Sequence, residues 1–194
     1  MIKRFDHPAT RRNPYPPAPT GIHAFRYDSA LVLLRLKDAV RLRTGEDADF
    51  ILARDFLVSW EDDEGTRHVL CVPAGLITDL TSVPPVWRWL VGRVGPWLEA
   101  AIVHDYLYIA WQDVPGRRAV PADRRFADDM MRAAMQAARV APWRIALIYG
   151  ALRVFGGTRY ARGAKDRYLD PCAPAVTSQL VAEAPQARSD QDDR

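Results

Sequence analysis

Apolar positions along the chain fall into two regimes. Residues 24–60 hold AFRYDSALVLLRL and DFILARDFLVSW, runs rich in Val, Leu, Ile and Phe and bounded by polar breaks, which is how strands are punctuated. The polar stretch EDDEGT at 61–66 joins FLVSW to RHVLCVP and predicts a β-hairpin. Pro73 closes that strand. AGLITDLTSVPPVWRWL then reads as a loop carrying Gly75, Asp79, Thr81, Ser82, Pro84 and Pro85.

Beyond Pro96 the period becomes helical. WLEAAIVHDYLYIAW has Pro in a first-turn position, Glu99 where the helix dipole favours an anion, and no internal Gly or Pro. A second helix is predicted over about residues 121–139 from Pro121, and a third opens at Pro142 with WRIALIYGALRVF and is expected to stop at Gly156-Gly157. Being apolar nearly all round but only about 14 residues long, the third reads as a buried core helix, not a bilayer span. Strands first and helices after make an α+β fold, an N-terminal β-hairpin or antiparallel sheet packed on about three helices. Five prolines among basic and polar residues mark residues 1–20 as an arm, and PCAPAVTSQLVAEAPQARSDQDDR at 171–194 has the composition of a disordered tail. A single α+β domain over 21–170 is expected between them.

Composition narrows the function classes. The 194 residues are 48% hydrophobic, enough for one ordinary core, and the 26% charged fraction sits near the roughly 25% of an average globular protein. Net charge is +3, with 27 basic residues spread among 24 acidic ones, which gives no sequence-specific nucleic-acid footprint. Cys71 and Cys172 are too few for a disulfide framework and lack metal-ligand spacing, so a reducing compartment is expected. The N-terminus opens without an apolar leader, and no apolar run approaches the ~20 residues of a transmembrane segment. A soluble protein follows, placed in the cytoplasm of a bacterial host or on a phage particle.

On a helical wheel Trp97, Ala101, His104, Tyr108 and Trp111 share one stripe, with Asp105 about a quarter turn from Tyr108. On the second helix Asp123 shares its stripe with Phe126, Met130, Ala134 and Ala137, while Asp128 and Asp129 fall off its centre or on its flank. Two antiparallel helices would then set Asp123 against the His104 ring, with Tyr108 donating to the same carboxylate. Such a pair fixes the imidazole tautomer and stabilises the imidazolium formed when the other nitrogen takes a proton from water. Asp105, rotated by about 100°, would be left to bind a divalent cation. The same side chains would equally serve as hydrogen-bonded ties between two helices, with no substrate at all.

Two resemblances attach to these residues. VPAGLITDLTSVP at 72–84, AAIVHDYLY at 100–108, RAVPADRRF at 118–126 and WRIALIYGALRVFG at 143–156 together resemble an uncharacterised phage- and prophage-associated family, domain of unknown function 1353. That resemblance implies a phage-derived context and phage structural proteins as partners, and no agreed activity. Locally, His104-Asp105-x-x-Tyr108 followed by Asp123 on a later helix is similar to the active-site pattern of secretory phospholipases. It implies His104 as water-activating base, Asp105 as a calcium ligand, Tyr108 as support and Asp123 as the residue orienting His104. The glycine-rich calcium loop and helix-pinning disulfides of those lipases are missing, which leaves Asp79, Thr78 or Ser82 as substitute oxygen donors.

The expected function is therefore a phage-associated hydrolase that activates water against an ester such as a phospholipid. The alternatives are a non-catalytic phage accessory protein and, behind it, a hydrolase of cell-wall peptide or glycan. Ser82 lacks the Gly-x-Ser-x-Gly elbow of a serine nucleophile. A metal-dependent phosphohydrolase would need further helical histidines beside His104, but His68 falls in a strand-like run and His7 and His23 lie in or near the arm. Arg117, Arg118, Arg124, Arg125 and Arg132 form a basic cluster that either is a solvated face balanced by Asp113, Asp128 and Asp129 or draws the protein to anionic lipid or a phosphorylated partner. Trp87, Trp89 and Trp97 are either core or an interfacial rim.

Overall fold

A computed structural model describes residues 8–36, 49–79, 95–164 and 168–172. Each of the two early apolar runs divides into two strands, one for each of two small antiparallel sheets. AFRYDSALVLLRL supplies β1 (His23–Tyr27) and β2 (Leu33–Leu36); DFILARDFLVSW supplies β3 (Asp49–Leu52) and β4 (Phe56–Glu61). β5 (Arg67–Val72) completes a sheet ordered β1-β4-β5, and β6 (Ile77–Asp79) a sheet ordered β2-β3-β6. The expected hairpin is β4–β5, registered from Phe56 opposite Val72 to Glu61 opposite Arg67. Its turn is closed by Asp62, whose Oδ1 accepts the backbone N–H groups of Glu64 and Thr66 at 2.9 and 2.8 Å. Gly65 supplies the positive φ of 77° that the turn requires.

Part of the stretch read as a loop after Pro73 is strand. β6 pairs Thr78 with Phe50 and Ile77 with Ile51. Ser82, Trp87 and Trp89 lie outside the described residues, as does the side chain of Asp79.

Three α-helices follow among the described residues: α1 (Leu98–Ile109), α2 (Pro121–Ala137) and α3 (Pro142–Arg162). A short 3-10 turn, Ala110–Gln112, extends α1. The fold is α+β, as the order of patterns predicts. The main core joins Phe56, Val58, Trp60 and Val72 of the hairpin sheet to Ile102, Val103, Tyr106 and Leu107 of α1 and to Phe126 and Met130 of α2. Tyr15, inside the proline-rich stretch read as an arm, is also in this core and donates its hydroxyl to the carbonyl of Leu107.

Two expectations about α3 are corrected. The helix continues through Gly156-Gly157 to Arg162. It is also not an enclosed core helix, since Trp143, Val154 and Phe155 are 53, 72 and 61% exposed. Helix geometry tolerates Gly at a cost near 1 kcal/mol against Ala, which packing can override. Here the glycine has a packing role: a Cβ on residue 156 would overlap the Tyr108 hydroxyl, so its absence lets α3 close onto α1.

Candidate functional site

α1 carries the chemistry because its two chemically active residues are four apart. His104 and Tyr108 therefore stand one above the other on the buried face, their ring centroids 4.0 Å apart. The carboxylate that meets them comes from α2, and it is Asp128. His104 Nε2 lies 3.2 Å from Asp128 Oδ1, and the Tyr108 hydroxyl donates to the same oxygen at 2.7 Å. Arg153 of α3 donates from Nη1 to the other oxygen, Oδ2, at 3.2 Å. Three helices thus converge on one carboxylate with no exposed surface.

This corrects the expectation that Asp123 faces His104. Asp123 is buried, but its two oxygens take a bidentate pair from Arg117, Nε to Oδ2 and Nη2 to Oδ1, each at 2.7 Å. The Arg117 guanidinium also lies over the Tyr15 ring, 4.9 Å from its centroid. Asp123 ties the start of α2 to the loop before it and to the N-terminal segment.

Electrostatics define what the Asp128 cluster can do. Burial by itself would raise the Asp128 carboxyl, but hydrogen bonds from His104 and Tyr108, with the Arg153 guanidinium, hold it below the ordinary carboxylate range. It is therefore an anion at neutral pH and accepts only. His104 must then donate through Nε2–H, and in the neutral ring that tautomer leaves the lone pair on Nδ1. Burial and the Asp128 charge raise the Tyr108 phenol, so it too remains a donor. The His104 side chain is 7% exposed, against 0% for Asp128.

Asp105 lies on the next helical position, as expected, but is not idle. Its Oδ2 accepts the hydroxyl of Thr78, a buried residue of β6, at 2.8 Å. Calcium takes about six to eight oxygens. Among the described residues no group of three or more His, Cys, Asp or Glu gathers to hold a metal, and Asp105 and Thr78 are bonded to each other. Ser82 and the side chain of Asp79, the other expected oxygen donors, lie outside the described residues.

The arginine cluster around α2 is divided between contacts within the fold and the surface, where Arg118 and Arg125 stand exposed. Besides Arg117, Arg124 donates to the α3 carbonyls of Leu152 and Arg153, and Arg132 pairs with Asp129 and covers the Tyr149 ring. Trp97 is 6% exposed and belongs to the second core cluster with Met131, Ala134 and Ile145. Reading the sequence alone missed Asp128, Arg153 and Gly156. The first two had no distinguishing signal, but the glycine pair inside an apolar helical period was a cue to close packing as much as to termination.

The model of a family described as a protein of unknown function, DUF1353, matches residues 51–152, more than half of the chain. The matched stretch runs from β3 into α3, includes His104, Asp105, Tyr108, Asp123 and Asp128, and ends just before Arg153. No match was found among curated proteins or among solved structures.

Proposed function

We propose, from the premise that this chain belongs to the DUF1353 family, that it is an ester hydrolase in which His104 activates water, acting in a phage or prophage setting on an ester such as a phospholipid. The observation that carries the reading is the buried Asp128 anion bonded to His104 Nε2 with Tyr108 on the same oxygen. With Nε2–H committed to Asp128, Nδ1 takes a proton from water as the water oxygen bonds to the ester carbonyl carbon. The imidazolium so formed faces a carboxylate that stays ionised, and it returns the proton to the alkoxide as the C–O bond to the leaving group breaks. His104 is the catalytic base in this scheme; Asp128, Tyr108 and Arg153 position it. This scheme routes no step through a cation.

A second reading, a structural lock between three helices in a non-catalytic accessory protein, is favoured by one specific observation. Asp128 is fully enclosed and takes donors from α1 and α3 at once. Replacing His104 by Gln separates the two. Glutamine keeps an N–H donor for Asp128 but has no basic nitrogen, so ester cleavage followed by proton release should fall at least about a hundredfold while Tm moves by only a few degrees. Unchanged cleavage, or no cleavage by the parent protein on soluble and vesicle esters, would leave the lock.

A further inference from the structure

We propose that the outer face of α3 rests on an anionic lipid surface. The helix has an inner side, where Ile145, Gly156 and Tyr160 are buried, and an outer side on which Trp143 and Val154 project in line, with Phe155 beside them. These are the large apolar side chains of the helix that stand exposed; Trp143 and Val154 lie about 20° apart on the wheel, some three turns from each other, and Phe155 lies about 100° round from Val154.

Charge selects the occupant. Over its 21 residues α3 has Arg144, Arg153, Arg159 and Arg162 and no acidic residue. Arg153 turns inward to Asp128, while Arg144 and Arg162 fall within about 20° of Phe155 on the wheel. Arg144 is held between the rings of Trp97 and Trp143, 5.6 and 5.1 Å from their centroids, so the first turn presents a cation and an indole together. A helix face on which exposed apolar side chains alternate with arginine and no carboxylate matches the boundary of a bilayer, where acyl chains take the apolar groups and phosphates take the guanidinium groups. A second copy of this chain fits less well, because apposed α3 faces would bring arginine against arginine. A bare polyanion such as nucleic acid would leave Val154 and Phe155 without a partner. No helix among the described residues is long and apolar enough to cross a membrane, so α3 would lie on the surface.

This surface deepens the proposed function, since the ester would be drawn from it, and rests on that reading only for that step. The binding is tested on lipids with no ester to cut. The full chain is sedimented with vesicles of ether-linked phosphatidylcholine, with and without ether-linked phosphatidylglycerol, as the parent and as the double variant Val154→Asp, Phe155→Asp. Both positions are exposed, so the melting curve of the variant should match the parent. The expected result is sedimentation that depends on phosphatidylglycerol and a partition coefficient lowered at least about tenfold by the two aspartates. Failure of the parent to sediment, or equal sedimentation of the variant, overturns the proposal. So does a parent dimer that the variant dissociates in sedimentation velocity, or duplex DNA binding that the variant loses while vesicle binding is unaffected. Cleavage of a soluble short-chain ester without vesicle binding would remove this inference and leave the hydrolytic reading; vesicle binding with cleavage unaffected by His104→Gln would do the reverse.

Discussion

Asp128 receives donors from a ring nitrogen, a phenol and a guanidinium, and Asp123, five residues earlier, receives the two donors of one guanidinium. Both are buried carboxylates satisfied by charge-assisted bonds, so their removal should cost stability by the same physics but affect chemistry differently. Asp128→Asn leaves Arg153 facing a neutral amide and should destabilise by about 3–5 kcal/mol, readable as a large fall in the urea midpoint. It should also remove any cleavage that depends on His104. Asp123→Asn should lower the urea midpoint comparably and leave turnover per folded molecule intact. Equal loss of turnover in both variants would mean that the histidine is not served by Asp128 in particular.

At the scale of elements, the packing of α2 explains why Asp128 and not Asp123 meets His104. A single stripe centred on Asp123, Met130 and Ala134 describes a helix packed on one neighbour. α2 instead packs on α1, α3 and β1, and its buried residues from Ala133 round to Asp128 cover roughly 220° of its circumference. Asp128 lies about 140° from Asp123 on the wheel, at the rim of the single stripe but within the groove between α1 and α3. The approach of α3 to that groove depends on Gly156. Gly156→Ala should push α3 off Tyr108 and cost about 1–3 kcal/mol, despite alanine's better helix propensity. A rise in Tm for this variant would show that the contact relaxes without loss. Thr78 has the matching role for the second sheet, and Thr78→Val should uncouple β6 from α1 by about 1.5–3 kcal/mol, measurable as faster amide exchange along β6.

For the molecule as a whole, the buried Asp128 anion makes folding sensitive to acid. Its native carboxyl titrates below the usual value of 3.8, so the unfolded chain binds that proton first as pH falls within the native state's range. The stability it contributes is complete above the unfolded value and is lost as pH falls through the lowered native one. Chemical denaturation between about pH 5 and pH 2 should show stability falling in the parent and a flatter acid limb in Asp128→Asn. Much of this architecture is written locally: the polar EDDEGT turn sets the hairpin, Pro121 and Pro142 open α2 and α3, and the four-residue spacing of His104 and Tyr108 puts both on one face. These features depend on neighbours in the chain, so one sequence determines them. The partner of His104, the continuation of α3 past Gly156 and the seating of Tyr15 in the core depend on contacts between residues far apart in sequence. Periodicity shows that a side chain faces inward but not which neighbouring element it meets; packing three helices against a sheet decided that.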